Sequence, residues 1–297
     1  MILVTGGSGF LGKQVCEQLT SQGYSVLDAS ITPIQTSAYP CQRVDISLAA
    51  ELEDLFSHHP IDTIIHLAAL LHTESWKNPA EAYRVNIQGS YYLLELARKY
   101  QLRRFVFGST VDALGYHPLE EGAINEEAAV LPSDLYGETK RFIENLGLAY
   151  RQIYGLEFIS DRIPFIVGPG PTTPTSAWRM EIFNLLKDGG EIDLGFEAEA
   201  VIPIAYVLDS AVETCILATA SSLKHSIYHL PCESIRVADL AEAVKRIGKN
   251  ISTKYGSKKA DFYPPRVDFS RFQEEFGIAQ TPLFTRLEEY RNQLEHQ

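Results

Sequence analysis

A tyrosine and a lysine in one short segment are the side chains of this sequence best suited to proton transfer. Tyr136 and Lys140 stand one helical turn apart, so a helix would place them on the same face. A free phenol titrates at about pH 10, and a neighbouring ammonium group lowers that value because it favours the phenolate. The pair therefore indicates a general base for alcohol oxidation, or a general acid for ketone reduction, near neutral pH.

A glycine-rich loop at the start of the sequence predicts a nucleotide-binding turn. The apolar residues 2–4 are followed by Gly6, Gly9 and Gly12. Glycine permits a tight turn between strand and helix and lets a pyrophosphate approach the backbone, while the following helix presents free N–H groups to the phosphates. A glycine-rich turn without a ligand is the alternative, which the strand before it and the helix after it disfavour.

The order of these features resembles one enzyme superfamily. The glycine loop, then Thr110 at the end of an apolar run, then Tyr136 and Lys140 are arranged as in the extended short-chain dehydrogenase/reductases, the NAD-dependent epimerase/dehydratase family. The resemblance covers essentially the whole chain and is most specific over residues 1–170. It implies a Rossmann-type doubly wound parallel sheet, NAD as cofactor, and catalysis by these three side chains, with the Thr110 hydroxyl binding the reacting oxygen.

The same resemblance implies further contacts with the cofactor. Asp28, expected at the end of the second strand, would bind the adenosine ribose and repel the 2′-phosphate of NADP, so NAD is favoured. Asp45 would contact the adenine amine, and Asn86 would support the active-site backbone. A solvated turn residue and a helix cap are the alternatives for the two aspartates. The expected cofactor set is Gly6, Gly9, Phe10, Leu11, Gly12, Asp28, Asp45, Ile46, Leu67, Ala68, Ala69, Asn86, Tyr136, Lys140 and Pro164.

The second half of the sequence is compatible with two classes of substrate. Nucleotide-sugar enzymes of the family commonly carry an arginine that grips the diphosphate, where this sequence has Ile202 with two acids upstream. The same segment loosely resembles short-chain L-threonine dehydrogenases, which share a threonine-rich loop before a Glu-Ile-Phe helix. Arg266 matches a phosphate-binding arginine of nucleotide-sugar enzymes, but it could equally bind a carboxylate or pair with a surface acid. The expected substrate contacts are Ser75, Ser109, Thr110, Tyr136, Thr173 and Arg266.

These observations predict an NAD-dependent dehydrogenase that acts on a small polar hydroxy compound, such as a hydroxy acid, an amino acid alcohol or a sugar acid. A nucleotide-sugar 4-epimerase is the alternative. A 4,6-dehydratase is disfavoured because its threonine would be followed by Asp-Glu, whereas Val111 and Asp112 follow Thr110 here. A redox-sensing NAD-binding regulator is a third class, and it would not need the intact Tyr/Lys/Thr set.

Charge and cysteine usage restrict the partners. The 297 residues carry a formal net charge of -12, which disfavours nucleic acid and anionic membranes. The four cysteines are scattered without a C-x-x-C pair, which is typical of reduced thiols in a cytoplasmic protein, and no metal is expected. No apolar stretch approaches the roughly 18 residues of a membrane span. Residue 2 already begins a strand-like run, so we expect no signal peptide.

Alternating strand-like and helix-like segments must position these side chains, which favours an α/β fold with a parallel sheet. We expect an NAD-binding domain over residues 1–168 and a small, mainly substrate-binding lobe over 169–297, with parts around 201–247 returning to the main sheet. Ser133 is expected to cap the helix that carries Tyr136. Apolar surface on this helix and on the helix of residues 79–100 favours a homodimer, although both surfaces could be buried within one subunit.

Overall fold

The strands of the chain form one large sheet and two small ones. The computed structural model describes residues 1–36, 38–118, 122–170 and 177–295. Its strands are β1 (Ile2–Thr5), β2 (Val26–Ser30), β3 (Cys41–Arg43), β4 (Thr63–His66), β5 (Arg104–Thr110), β6 (Glu157–Ile163), β7 (Phe165–Val167), β8 (Gly190–Asp193), β9 (Val201–Tyr206), β10 (Ile227–His229), β11 (Glu233–Arg236) and β12 (Ile251–Lys254). Seven of them form the main sheet in the order β10-β6-β5-β4-β1-β2-β3.

Helices follow most of these strands. They are α1 (Phe10–Ser21), α2 (Ala49–His58), α3 (His72–Lys77), α4 (Pro79–Ala82), α5 (Ser90–Lys99), α6 (Leu135–Tyr154), α7 (Ala177–Asp188), α8 (Val207–Thr219), α9 (Val237–Ile247), α10 (Ser270–Phe276) and α11 (Leu283–Glu295). A π-helical turn, Tyr83–Gly89, joins α4 to α5, and a 3-10 turn, Val111–Leu114, follows β5. None of the helices in the described ranges is long and apolar enough to cross a membrane.

The main sheet is the parallel sheet that the alternating pattern predicted, and it is of the Rossmann type that the family resemblance implied. All of its neighbouring strands pair in parallel. Its central strands are buried on both faces, which is why the sequence of β1 and β4 is apolar without alternation. Helices α1 and α8 pack on one face, whereas α2, α5 and α6 cover the other. The predicted α/β fold class is confirmed.

The second half contributes to the main sheet and also builds a separate unit. Strand β10 pairs with β6, so this part of residues 201–247 lies in the main sheet. Strand β9, however, belongs to a three-stranded sheet in the order β11-β9-β7. Because β7 lies within residues 1–168 and pairs with β9, the second sheet begins before the expected domain boundary. The strands β7, β8, β11 and β12 are three or four residues long and lack a clear alternation, which is why the sequence did not predict them.

Two local expectations were wrong. Strand β2 continues to Ser30, so Asp28 lies inside the strand rather than at its end. The N-cap of α6 is Asp134, whose carboxylate accepts a hydrogen bond of 2.6 Å from the Gly137 amide, and not Ser133. Neighbouring serine and aspartate residues are both good N-caps, so the pattern alone does not choose between them.

We predict that Gly147→Ala destabilises the protein by tightening the contact between α6 and β6. A Cβ atom at Gly147 would lie 2.1 Å from the buried Phe158 ring. We expect the free energy of unfolding to fall by about 1–2 kcal/mol, because this overpacking outweighs the higher helix propensity of alanine. Asn145→Ala, at an exposed position of the same helix, should change it by less than about 0.5 kcal/mol. Urea denaturation measures the free energy of unfolding of both variants. An unchanged free energy of unfolding in Gly147→Ala would contradict the close packing of α6 on Phe158.

Candidate active site

A cleft of about 340 Å³ opens where the glycine loop meets the carboxyl ends of the central strands. Ligands of open parallel sheets bind at this edge because the loops that follow the strands converge there. Its lining comes from both halves of the chain: Gly6, Gly9, Phe10, Leu11, Gly12, Leu67, Ala69, Leu71, His72, Thr73, Gly108, Ser109, Thr110, Asp112, Tyr136, Lys140, Ile163, Pro164, Phe165, Ile166, Arg179 and Met180.

The glycine loop is shaped to receive a dinucleotide. A Cβ atom at Gly12 would lie 2.1 Å from the Gly6 carbonyl oxygen, so no side chain fits there. Gly6 has φ +73°, a backbone conformation that disfavours other residues, and a Cβ atom on it would approach the Ala68 amide to 2.8 Å. Helix α1 begins at Phe10 without a side-chain cap, so its first N–H groups can bind a phosphate. These features fit the expected cofactor.

Asp28 is placed differently from the ribose-binding acid that the sequence suggested. Its side chain is fully buried, and its carboxylate accepts hydrogen bonds from the hydroxyls of Ser8, at 2.5 Å, and Ser30, at 2.6 Å. The Ser8 amide in turn donates to the Ser30 hydroxyl. Asp28 therefore lies beneath the glycine loop and stabilises its conformation through Ser8. The residue at the end of the strand is Ser30.

The adenine side of the expected site is held by a polar network. The Asp45 carboxylate accepts from the Ser47 amide and hydroxyl and from Arg84. Burial opposes the ionisation of Asp45, but these hydrogen bonds outweigh it and lower its pKa. Ile46 is buried against Gly89, where a Cβ atom would lie 3.0 Å from Ile46 Cγ1.

Asn86 joins the loop after β4 to helix α6. Its side-chain oxygen accepts from the Leu70 amide at 2.8 Å, and its nitrogen donates to the Leu70 carbonyl at 2.9 Å and to the Thr139 hydroxyl at 3.3 Å. The loop after β4 is thereby joined to α6. The support of the active-site backbone by Asn86 stays a prediction.

The structure brings Tyr136, Lys140 and Thr110 together in the cleft. The Lys140 Nζ lies 5.7 Å from the centre of the Tyr136 ring and donates to the Gly108 carbonyl at 2.6 Å. Thr110 ends β5, and its hydroxyl oxygen accepts from the Asp112 amide at 3.2 Å. One helix face and one strand end thus hold three groups that can bind an oxygen and move a proton.

Burial controls the protonation of this pair. Burial, and then the Asp112 carboxylate, raise the pKa of Tyr136 above its ordinary value. Burial also lowers the pKa of Lys140 to about 7, against an opposing effect of Glu144. In the protein without ligand, Tyr136 therefore keeps its proton at neutral pH. A positive charge brought by a bound cofactor would favour its release.

His66 is a structural residue of the neighbouring strand. Its ring bridges the Thr5 hydroxyl at 2.6 Å and the Ser90 hydroxyl at 2.8 Å. Burial, and to a lesser extent Lys140, lower its pKa to about 3, so the imidazole is neutral.

Some of the expected substrate contacts line the cleft and others lie outside it. Ser109 lines the cleft, and its buried hydroxyl has no hydrogen-bond partner. Ser75 is fully buried outside the lining and donates to the Leu70 carbonyl, so its hydroxyl is already satisfied. Arg266 is exposed and does not line the cleft. Thr173 lies outside the described residues.

Sequence reasoning missed two charged residues of the cleft, Asp112 and Arg179. Asp112 directly follows the Thr110 motif, and we considered it only as evidence against a dehydratase. Arg179 lies in the first turn of α7, and no local pattern distinguishes it from a surface arginine. No group of histidine, cysteine, aspartate and glutamate that could hold a metal ion occurs in the part of the chain that the structure describes.

Comparison with known proteins identifies the family. The model of the NAD dependent epimerase/dehydratase family matches residues 2–229. A UDP-glucose 4-epimerase from Halalkalibacterium halodurans is 33% identical over 177 residues, which are 57% of this chain and 52% of that protein. A dTDP-glucose 4,6-dehydratase from Escherichia coli is 33% identical over 198 residues, 57% of this chain and 55% of that protein. The match thus spans about half the length of these relatives.

Solved structures extend the likeness over the complete chain. The holo form of an L-threonine dehydrogenase from Cupriavidus necator has a TM-score of 0.87 at 23% identity and covers 99% of this chain and 98% of its own. A UDP-glucose 4-epimerase from Thermus thermophilus in complex with NAD has a TM-score of 0.85 at 22% identity, with coverage of 99% and 98%. At such identities the likeness shows the fold alone.

The family match and the Rossmann-type cleft with its glycine loop agree. The chain belongs to the NAD-dependent epimerase/dehydratase family, the extended branch of the short-chain dehydrogenase/reductases. The description of this family includes NAD, so the sequence prediction of NAD as the cofactor is confirmed.

We predict that Asp28→Asn weakens the binding of NAD and NADP in parallel. Loss of the charged acceptor loosens Ser8 and with it the glycine loop, which contacts the part common to both cofactors. Titration of the protein with each cofactor measures the two dissociation constants. Asp54→Asn, an exposed position on α2, is the control. A selective gain in NADP binding would show instead that the carboxylate faces the ribose.

Proposed function

We propose that the protein is a dehydrogenase that transfers a hydride between NAD and a small polar hydroxy compound, such as a hydroxy acid, an amino acid alcohol or a sugar acid. The observation that carries this proposal is the lack of an arginine clamp for a diphosphate among the described residues of the cleft. Ile202 is fully buried in the second sheet at the position where nucleotide-sugar enzymes commonly have an arginine, and the exposed Arg266 is outside the cleft. Arg179 is the single arginine among the described lining residues.

The roles of the catalytic side chains follow from their positions. When bound, NAD supplies a nicotinamide ring that exchanges a hydride with a carbon atom. Thr110 orients the substrate oxygen towards Tyr136. In the oxidative direction, the Tyr136 phenolate accepts the proton of the substrate hydroxyl, and in the reductive direction the phenol returns it. Lys140 donates to the Gly108 carbonyl, and its protonated form places a positive charge beside the Tyr136 ring.

A nucleotide-sugar 4-epimerase is the second candidate. The named sequence relatives favour it, since a UDP-glucose 4-epimerase and a dTDP-glucose 4,6-dehydratase each match 57% of the chain. Such an enzyme would bind a nucleotide sugar tightly and form no net NADH. The absence of an arginine clamp from the described cleft makes us prefer the dehydrogenase.

We predict that Tyr136→Phe lowers turnover by about 100-fold or more, because the proton of the substrate has no acceptor. NADH formation is followed by absorbance with NAD⁺ and a panel of hydroxy acids, amino acids and sugar acids. Because burial raises the pKa of Tyr136, oxidation by the unmodified enzyme should accelerate as pH rises. Tyr24→Phe, at an exposed loop position, is the control. Unchanged turnover in Tyr136→Phe would remove this residue from the mechanism.

We also propose a homodimer in a cytoplasmic setting. Large apolar side chains stay exposed on the two helical segments that the sequence suggested as an interface: Tyr83, Tyr91 and Tyr100 on one, and Phe142, Ile153 and Tyr154 on the other. Exposed clusters of this kind commonly mark interaction surfaces. The four cysteines are all free, which fits a reducing compartment.

We predict that light scattering at micromolar concentration gives the mass of a dimer. The double substitution of Phe142 and Ile153 by glutamate should yield monomers, since it would bury four charges across a two-fold interface. Leu208→Glu, an exposed leucine on α8, is the matched control. A monomer mass for the unmodified protein would refute the proposal.

A further inference from the structure

Arg179 is an arginine inside the cleft without a hydrogen-bonded partner for its Nε atom. It lies in the first turn of α7, and its guanidinium stacks 4.4 Å above the centre of the Phe165 ring. The Nε atom is buried and has no acceptor. The neighbouring Trp178 ring lies 6.0 Å from the guanidinium carbon. The Phe165 ring therefore stacks on this cation, and the buried Nε atom is left without an acceptor.

Asp112 is a second unsatisfied group on the same part of the cleft. It lies in the 3-10 turn after Thr110, and its Oδ1 atom is buried with no hydrogen-bond donor. Burial, and then Asp134, raise the pKa of Asp112 to about 7, whereas the charge of Arg179 opposes this rise. The two side chains thus affect each other through space, yet no ion pair joins them within the described chain.

Both groups line the cleft that also contains Thr110, Tyr136 and Lys140. The charges of Asp112 and Arg179 act in opposite directions on the pKa of Tyr136. The buried hydroxyl of Ser109, which lines the same cleft, also has no partner. An unsatisfied buried polar group is costly, and a buried charge is more costly still. Several such groups in one cleft indicate that a ligand completes them.

We propose that Arg179 binds a carboxylate of the substrate and that Asp112 accepts a hydrogen bond from an ammonium or hydroxyl group of the same molecule. This proposal rests on the proposed dehydrogenase function and narrows its substrate class. The substrate is then a hydroxy acid with a second polar donor. Its reacting hydroxyl lies at Thr110 and Tyr136, while its carboxylate pairs with the planar guanidinium, which suits two parallel hydrogen bonds.

Arg179→Gln tests the carboxylate contact. The melting temperature is measured with NAD⁺ present and with a panel of two- to six-carbon hydroxy acids, amino acids and sugar acids, each beside its neutral amide. We expect acids, and not amides, to stabilise the unmodified protein, and the dissociation constant of the best acid to rise about 10- to 100-fold in Arg179→Gln. Arg246→Gln, an exposed arginine on α9, is the matched control and should behave as the unmodified protein.

Three results would overturn the assignment of Arg179. The first is a response of the unmodified protein to no acid of the panel, or an equal response to acids and amides. The second is an unchanged acid affinity in Arg179→Gln. The third is a large loss of affinity for NAD alone in this variant, which would assign the guanidinium to the cofactor's phosphates. We expect NAD affinity to change by less than about 2-fold, which also shows that the variant is folded.

Asp112→Asn tests the second contact. L-Threonine and 3-hydroxybutyrate have the same carbon skeleton, but only L-threonine carries an ammonium group. The ratio of their KM values therefore measures how strongly the enzyme binds this ammonium group. We expect Asp112→Asn to reduce a preference for the compound with the donor by about 10-fold or more. The same preference in the variant would contradict the role of Asp112.

The inference and the proposed function can fail separately. If acids bind through Arg179 but no hydroxy acid yields NADH, the dehydrogenase proposal fails and the carboxylate site stands. If neutral alcohols yield NADH at rates that Arg179→Gln does not change, the dehydrogenase proposal stands and the carboxylate site fails.

Discussion

The packing of α6 against β5 and β6 is the constraint on which the rest of the site depends. Gly147 lets the helix approach the buried Phe158 ring, and the buried ion pair between Glu144 and Arg162 joins helix to strand at 2.8 Å. One turn earlier, Lys140 donates to the Gly108 carbonyl. Because these contacts fix both the position and the rotation of α6, they also decide where Tyr136 meets the cleft.

The cofactor side of the cleft is built in a similar way. Small residues permit the close approach of backbone segments, and buried polar groups stabilise the resulting conformation. Gly6 and Gly12 bring the loop against itself and against the segment after β4. Asp28 then fastens this loop from below through Ser8 and Ser30. A charged acceptor inside the sheet is costly unless its hydrogen bonds are satisfied, and here two hydroxyls satisfy it. The carboxylate thus contacts Ser8 of the glycine loop and Ser30, whereas the sequence analysis expected it at the end of the strand.

The substrate side of the cleft differs, because several of its buried polar atoms have no hydrogen-bond partner. Asp112 and Arg179 come from opposite halves of the chain and meet beside Tyr136 without an ion pair between them. A second sheet, in which β7 pairs with β9, carries Phe165 to the position where it stacks on Arg179. The second sheet thus helps to place a positive charge in the same cleft as Tyr136 and Lys140, and the proposed carboxylate site rests on this arrangement.

The sequence by itself determined the class of chemistry, because Gly6, Gly9 and Gly12, then Thr110, Tyr136 and Lys140, are local motifs whose spacing reports directly on a turn, a strand end and a helix face. It also indicated the main parallel sheet, since strands buried on both faces read as apolar runs. Only the tertiary structure decided that Asp28 supports the glycine loop from below, that Arg266 lies outside the cleft and that Arg179 lies inside it. These outcomes depend on where β2 ends and on how the two sheets meet, and long-range packing, rather than any local pattern, determines both.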